Sequence, residues 1–202
     1  MRITSKLATI VFLCILTVSS PAFAGKAAKN VVQDMYSALT ATMKQGEQLG
    51  FEGRRKKLDP VIRAAYNMQL MAKMSVGSNW NTASPSDQSA MIEAFSAFSV
   101  ATYASRFASY DGEQFTVTGE KPVGKDIMVE TTLKPKDSEA VTLNYLMRKD
   151  EKGDYRIVDV MMNGTISELA TRRAEFSSIA RREGMTALIN SLRDKAGKMG
   201  SL

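Results

Sequence analysis

The chain has 202 residues, with 27 lysines and arginines against 21 aspartates and glutamates, a formal charge of +6, one cysteine and no histidine. Without histidine there is no histidine-dependent catalytic triad and no histidine metal site. Cysteine nucleophiles and thiolate-bound zinc go with them if the segment carrying the lone cysteine is removed, as the first residues indicate.

Arg2 and Lys6 form a basic start, and Leu7 to Val18 is an apolar run too short for a comfortable transmembrane helix. Pro21 then precedes Ala22-Phe23-Ala24, a small-x-small site that a signal peptidase would cut ahead of Gly25. Residues 1–24 therefore read as a signal peptide and residues 25–202 as a single exported domain. Cys14 lies within the leader, behind Phe12-Leu13 rather than small residues, which disfavours a lipid-anchored cysteine. Loss of Arg2 and Lys6 lowers the formal charge from +6 to +4. That balance suits an anionic membrane surface or an acidic partner, and is equally ordinary for a soluble protein. Nucleic acid is not an expected partner. The one dense basic cluster, Arg54-Arg55-Lys56-Lys57, runs straight into Leu58-Asp59-Pro60 without aromatics for base stacking.

Asn30 to Leu49 reads as a helix, with Val31, Met35, Ala38, Leu39 and Met43 at three- and four-residue steps and Gly50 as its end. A second helical stretch runs from about Gly53 to Met74, its principal segment starting at Pro60, and Gly77-Ser78-Asn79 breaks the pattern before Trp80. Ser84-Pro85-Ser86-Asp87 is a helix start, combining a serine cap, a first-turn proline and an acid. That helix carries Met91, Ile92, Phe95, Phe98 and Ala101 inward and is expected to end near Tyr110-Asp111-Gly112. The period then switches to two. Gln114 to Thr118, Asp126 to Leu133, Ala140 to Arg148 and Tyr155 to Met162 are four strands with connections short enough for an antiparallel meander. After Asn163-Gly164 the pattern is helical through Ile166, Leu169, Ala170 and Phe176, breaks at Gly184, and resumes from Met185 to about Lys195. The expected fold is α+β, a four-stranded antiparallel sheet with about six helices.

Large apolar side chains occupy both registers of these strands, so helices on both faces, or a cavity between sheet and helices, would account for them. No carboxylate pair is singled out by spacing and there is no glycine-rich phosphate loop. Binding or transport is favoured over catalysis, with no metal and no cofactor expected. Asp159 interrupts an apolar strand, so its carboxylate must be hydrogen-bonded or paired, with Arg148 or Arg173 as candidates. Gly164 supplies a backbone conformation closed to other residues at the strand-to-helix turn.

From Trp80 onward the chain resembles the toluene-tolerance, or MlaC-type, family of periplasmic lipid-binding proteins. The resemblance is carried by Gly77-Ser78-Asn79-Trp80 and Ser84-Pro85-Ser86-Asp87-Gln88, then by Phe95, Phe98 and Ala101-Thr102-Tyr103-Ala104. Phe107 to Glu113, Tyr155-Arg156-Ile157-Val158-Asp159-Val160, Asn163-Gly164-Thr165-Ile166-Ser167 and Arg173-x-Glu175-Phe176 complete it. Where many members have Gly-Val-Ser, this chain has Gly164-Thr165-Ile166-Ser167, which is similar to the hopanoid-biosynthesis-associated branch. Tyr155 stands where a tryptophan is common.

The resemblance implies an NTF2-like sheet and helices enclosing an apolar cavity, and a monomeric carrier of one phospholipid or hopanoid between inner and outer membranes. It implies as partners an inner-membrane MCE-domain complex driven by an ABC ATPase and an outer-membrane lipoprotein–porin complex. On this reading Tyr103, Phe107 and Tyr110 share one helix face at the cavity, with Trp80, Phe95 and Phe98 beside them. Val129, Leu143, Val158 and Val160 meet the lipid from the sheet, and Ile166 and Leu169 from the last turn and helix. Arg172-Arg173 and Arg181-Arg182 are solvated helix faces or contacts for lipid phosphate. The alternatives are an accessory factor docking on a lipid-transport complex, and an NTF2-like hydrolase or isomerase using Asp or Tyr chemistry.

Overall fold

The computed structural model describes residues 26–200; the signal-peptide reading of residues 1–24, Cys14 included, lies outside them. Among the described residues seven helices and five strands follow in the order α1 (Ala28–Met43), α2 (Gly46–Ala65), α3 (Met68–Val76), α4 (Asn79–Thr82), α5 (Pro85–Arg106), β1 (Gln114–Val123), β2 (Asp126–Lys134), β3 (Val141–Lys149), β4 (Tyr155–Met162), β5 (Ile166–Ser167), α6 (Glu168–Glu183) and α7 (Met185–Lys198). The strands form one antiparallel sheet in sequential order. The fold is α+β as expected, with one more strand and one more helix than the pattern suggests. β5 spans only Ile166 and Ser167, too short to show a period, and it displaces the expected helix start to Glu168.

In α1, Val31, Val32, Met35, Tyr36, Leu39 and Met43 are buried along one stripe. Gly50 does not end this helix. α1 stops at Met43, and Gly50, with φ +60, kinks α2 instead. Pro60 likewise lies inside α2 rather than starting a segment. Its ring costs about 3 kcal/mol in a helix interior, which burial of Leu58 and Ile62 offsets at about 1.5–3 kcal/mol each. The second helical stretch divides at Tyr66, which is extended and bridges β4 at Ile157. The Asn67 side chain then accepts from the Leu70 N–H and restarts the chain as α3.

The basic cluster of α2 is not a solvated patch throughout. Arg54 is buried and donates to the carbonyls of Ala104 and Gly46, both at 2.8 Å, tying α2 to the end of α5. Gly46 has no room for a side chain: a Cβ there would sit 1.8 Å from the Ala108 carbonyl oxygen. Ser84 caps α5 by accepting from the Asp87 N–H at 3.1 Å, with Pro85 in the first turn. α5 ends at Arg106, four residues before Tyr110, and the segment that follows packs the Ala108 backbone against Gly46 of α2.

β1 continues through Pro122 to Val123, a proline tolerated because β1 is an edge strand. Across the sheet Val129 pairs with Tyr145 and Tyr145 with Val160, while Ile127 pairs with Met147 and Met147 with Ile157. These rows lie on one face, against the helices, and Val129, Tyr145, Met147, Ile157 and Val160 are all buried. The other face, with Met128, Thr132 and Leu146, is only half-buried. Helices on both faces are therefore not what the apolar residues reflect. Val158 is the extra residue of a β-bulge, so Ile157 and Val160 share a face despite their odd spacing.

Candidate functional site: an aromatic-filled cleft under the sheet

Between the inner face of β3–β4 and helices α5 and α6 lies a cleft of about 60 Å³. Its floor comes from Leu143, Tyr145, Val160 and Met162 of the sheet and Thr102, Tyr103 and Phe107 of α5 and its end. Arg106, Glu168 and Arg172 form the rim. Larger hollows elsewhere are open to solvent. One, of about 630 Å³, runs along α3 and the β3–β4 turn, and its arginines are already paired: Arg63 with Asp59 and Glu93, Arg148 with Asp126, and Arg156 with Asp150. The cleft under the sheet joins an apolar floor to a charged mouth, and a more open hollow of about 310 Å³ between α1, the end of α2 and the start of β4 shares that division, with Val31, Met35, Ala38 and Val61 beside Lys26, Asp34 and Arg156.

A run of rings fills the space around it. Tyr66 and Tyr103 centroids lie 6.0 Å apart, Tyr103 stacks on Phe107 at 5.6 Å, and Phe107 meets Phe115 at 5.7 Å. Phe115 lies 4.8 Å from Tyr36, which meets Tyr145 edge-on at 5.8 Å. Two hydroxyl clusters sit within this run. Tyr36 Oη is 2.6 Å from Thr131 Oγ1 and 3.2 Å from Tyr145 Oη, and Thr131 donates to the Leu143 carbonyl. Tyr66 and Tyr103 hydrogen-bond to each other. Burial raises all four phenol pKa values above the ordinary tyrosine range, so the rings stay neutral.

The rim is asymmetric. Arg172 is fixed, donating to Glu168 Oε1 at 2.7 Å and Ser99 Oγ at 3.0 Å, with its guanidinium over Phe95 and Phe98 at 5.2 and 5.3 Å. Arg106, in the last turn of α5, is exposed and makes no salt bridge among the described residues.

Of the residues singled out in the sequence, Tyr103, Phe107, Leu143 and Val160 meet in the cleft. Val129 is fully buried beside Tyr145 on the same sheet face. Phe95 and Phe98 pack edge-on against Phe176 of α6, at 6.5 and 6.2 Å, forming the α5–α6 contact rather than the cleft wall. Trp80 is buried in α4, which packs on α3 and α6. Val158 is buried in the bulge, and Leu169 is buried in the first turn of α6. Tyr110 and Ile166 are not in the cleft. Tyr110, 37% exposed, lies past the end of α5 under the Lys44 ammonium, and Ile166, 53% exposed, is in β5. Asp159 pairs with neither expected arginine. Its carboxylate accepts from Ser167 Oγ and the N–H groups of Val160 and Leu169, at 2.5, 2.7 and 3.0 Å. Gly164 has φ +74 at the turn before β5. Tyr36, Tyr66, Tyr145 and Arg106 escaped the sequence reading as a site, whereas Arg172 is one of the arginines it offers as a contact for lipid phosphate. The available signal for Tyr36 and Tyr145 was a hydroxyl on a buried register, since a buried phenol requires a partner.

The family model described as "MlaC protein" matches residues 31–194. Among solved structures the fold is similar to that of a phospholipid-binding protein from Ralstonia solanacearum, determined in complex with a phospholipid. The two share 20% identity with a TM-score of 0.74 over 86% of this chain and 99% of that one, so the likeness is one of fold. No described helix is long and apolar enough to cross a membrane.

Proposed function

The chain belongs to the MlaC family, and from that premise we propose that it is a lipid carrier whose cargo enters the cleft between the sheet and helices α5 and α6. One observation carries the reading. The cleft has an apolar floor and a rim holding Arg106, Arg172 and Glu168, the division that a lipid with buried chains and a charged headgroup requires. The phospholipid bound by the Ralstonia solanacearum protein supports the same class of cargo here. Each methylene withdrawn from water contributes about 0.8 kcal/mol, so a carrier cavity replaces a barrier that free lipid could not cross. The present void holds only a few waters. Acyl chains must enter by parting the Tyr103–Phe107–Phe115 rings, which join α5 to the edge strand β1.

On this reading the protein works in the periplasm between an inner-membrane MCE-domain complex with its ABC ATPase and an outer-membrane lipoprotein–porin complex. Phospholipid is the better supported cargo. The hopanoid reading rests on Gly164-Thr165-Ile166-Ser167, a segment whose Ile166 is exposed and away from the cleft. Native mass spectrometry of protein purified from cells that export it should show one lipid per chain. Val160→Trp should lower that occupancy, because the indole would fill the cleft. Protein that is empty, and takes no lipid from phospholipid vesicles, would overturn the proposal.

A further inference from the structure

The two hydroxyl clusters beside the cleft differ in how their hydrogens are used. A tyrosine or threonine hydroxyl has one hydrogen to give and can accept. In the first cluster Tyr36, Thr131 and Tyr145 bring three hydrogens. Two of them are placed: Tyr36 donates to Tyr145 and Thr131 donates to the Leu143 carbonyl, with Tyr36 and Thr131 2.6 Å apart. That cluster is anchored on a backbone acceptor, which the second lacks. Tyr66 and Tyr103 bring two hydrogens to a single link between them. Every buried side-chain oxygen therefore has a partner, yet one phenol hydrogen of this pair has no acceptor among the described residues. Either hydroxyl can be the one that donates within the pair; Tyr66 is 6% exposed, whereas Tyr103 is half-buried at the cleft. The nearby Glu168 carboxylate accepts from Arg172 at Oε1 and makes no hydrogen bond to either phenol.

Position gives the spare hydrogen a direction. Tyr103 lines the cleft and Tyr66 backs it from the end of α2, so a Tyr66 hydroxyl donating to Tyr103 leaves the Tyr103 hydrogen facing the cleft. Arg106 lies three residues further along α5, on the same face and about one turn, roughly 5 Å, nearer the mouth. A phosphate held at the Arg106 and Arg172 rim would place the glycerol backbone at the level of Tyr103. The group that glycerol presents there is an acyl ester, whose carbonyl is an acceptor and nothing else.

We propose that the Tyr66–Tyr103 pair is a donor site for the ester carbonyl of the cargo and makes the protein selective for ester-linked over ether-linked lipids. The inference rests on the lipid-carrier reading and adds to it the linkage chemistry of the cargo. Burial keeps both phenols protonated and able to donate at any physiological pH. A buried donor that finds its acceptor only in the loaded state favours that state over the empty one, because its unmet bond is made on binding. A dialkyl ether has no carbonyl oxygen projecting from the chain to meet the donor, and a polycyclic hydrocarbon has no acceptor at this depth.

The test is uptake from vesicles of palmitoyl-oleoyl phosphatidylglycerol and of its dialkyl ether counterpart with equal chain lengths, the bound lipid being counted by mass spectrometry. Wild-type protein should favour the ester lipid by roughly three- to tenfold, the worth of one neutral hydrogen bond. Tyr103→Phe should bring the ratio close to one while still binding lipid. Equal uptake of the two lipids by wild-type protein would overturn the inference, as would a Tyr103→Phe variant that keeps the preference. The wild-type comparison decides the matter even if the variant does not fold. Uptake of neither lipid would instead overturn the carrier reading, and this inference with it.

Discussion

Asp159 and Asp126 show two ways in which one carboxylate organises this molecule. Asp159 gathers Ser167, Val160 and Leu169, so it locks the turn after β4 to the first turn of α6 with hydrogen bonds instead of a countercharge. The sequence makes it plain that a carboxylate in an apolar strand needs partners. It does not say that two of them are backbone N–H groups, which carry no identity to read. Asp126 is the carboxylate that meets Arg148, at 2.6 and 2.8 Å. The guanidinium holds its pKa below the ordinary carboxylate value, with burial opposing. Because the folded pKa is the lower one, the pair's contribution is complete above the unfolded value of about 3.9 and is lost as pH falls through the folded value. Asp126→Asn should therefore shrink the difference in urea stability between neutral pH and ~pH 3 relative to wild type. Parallel pH profiles for the two proteins would refute this account.

At the scale of elements, the strands were largely legible because their alternation and short turns survive in any context. β4 runs over the predicted residues, Tyr155 to Met162. What failed was strict alternation within it. The bulge at Val158 turns Ile157 and Val160 to the same face, and a bulge has no fixed sequence mark. Helix ends failed for a related reason: α1 stops at Met43 ahead of the break that Gly50 does make with φ +60, Pro60 is a breaker whose effect packing overrides, and Tyr66 ends α2 through a bridge to β4. Gly184 is a breaker that packing does not override. It closes α6 and opens α7 with φ +89 and ψ 162, a region essentially confined to glycine. No atom lies within 4 Å of a Cβ built there, so the cost of Gly184→Ala is backbone strain alone, about 1–3 kcal/mol. Its urea midpoint should fall with the slope unchanged. Gly197→Ala, inside α7 and equally open, should be neutral or stabilising by up to about 1 kcal/mol. Equal midpoints for the two variants would contradict the strain argument.

For the molecule as a whole, the cleft is an assembly property. Its wall joins β3, β4, α5 and α6, and its ring plug draws on α1, α2, α5 and β1 as well. A cargo that binds this native arrangement and not the unfolded chain stabilises it by mass action. At free lipid a hundredfold above Kd the gain is about 2.7 kcal/mol, or a Tm rise of about 5–10 °C for a domain of this size. Delipidated protein should melt lower by that margin and recover on reloading from phospholipid vesicles. A Tm indifferent to loading would mean that any associated lipid lies outside the folded cleft.

The sequence by itself determined the α+β class, the antiparallel meander, the serine-capped α5 and the absence of histidine chemistry, because periodicity, caps and composition act locally. It also placed Tyr103, Phe107, Leu143 and Val160 among candidates that the fold brings to one cleft. Only the tertiary structure decided which sheet face is buried, that Tyr110 and Ile166 fall outside, and that Tyr36, Tyr66 and Tyr145 belong with Tyr103. Those outcomes depend on a one-residue bulge and on hydroxyls meeting across distant elements. Side-chain pattern carries no record of either, since the bulge shifts the pattern and the meeting exists only once the helices have packed against the sheet.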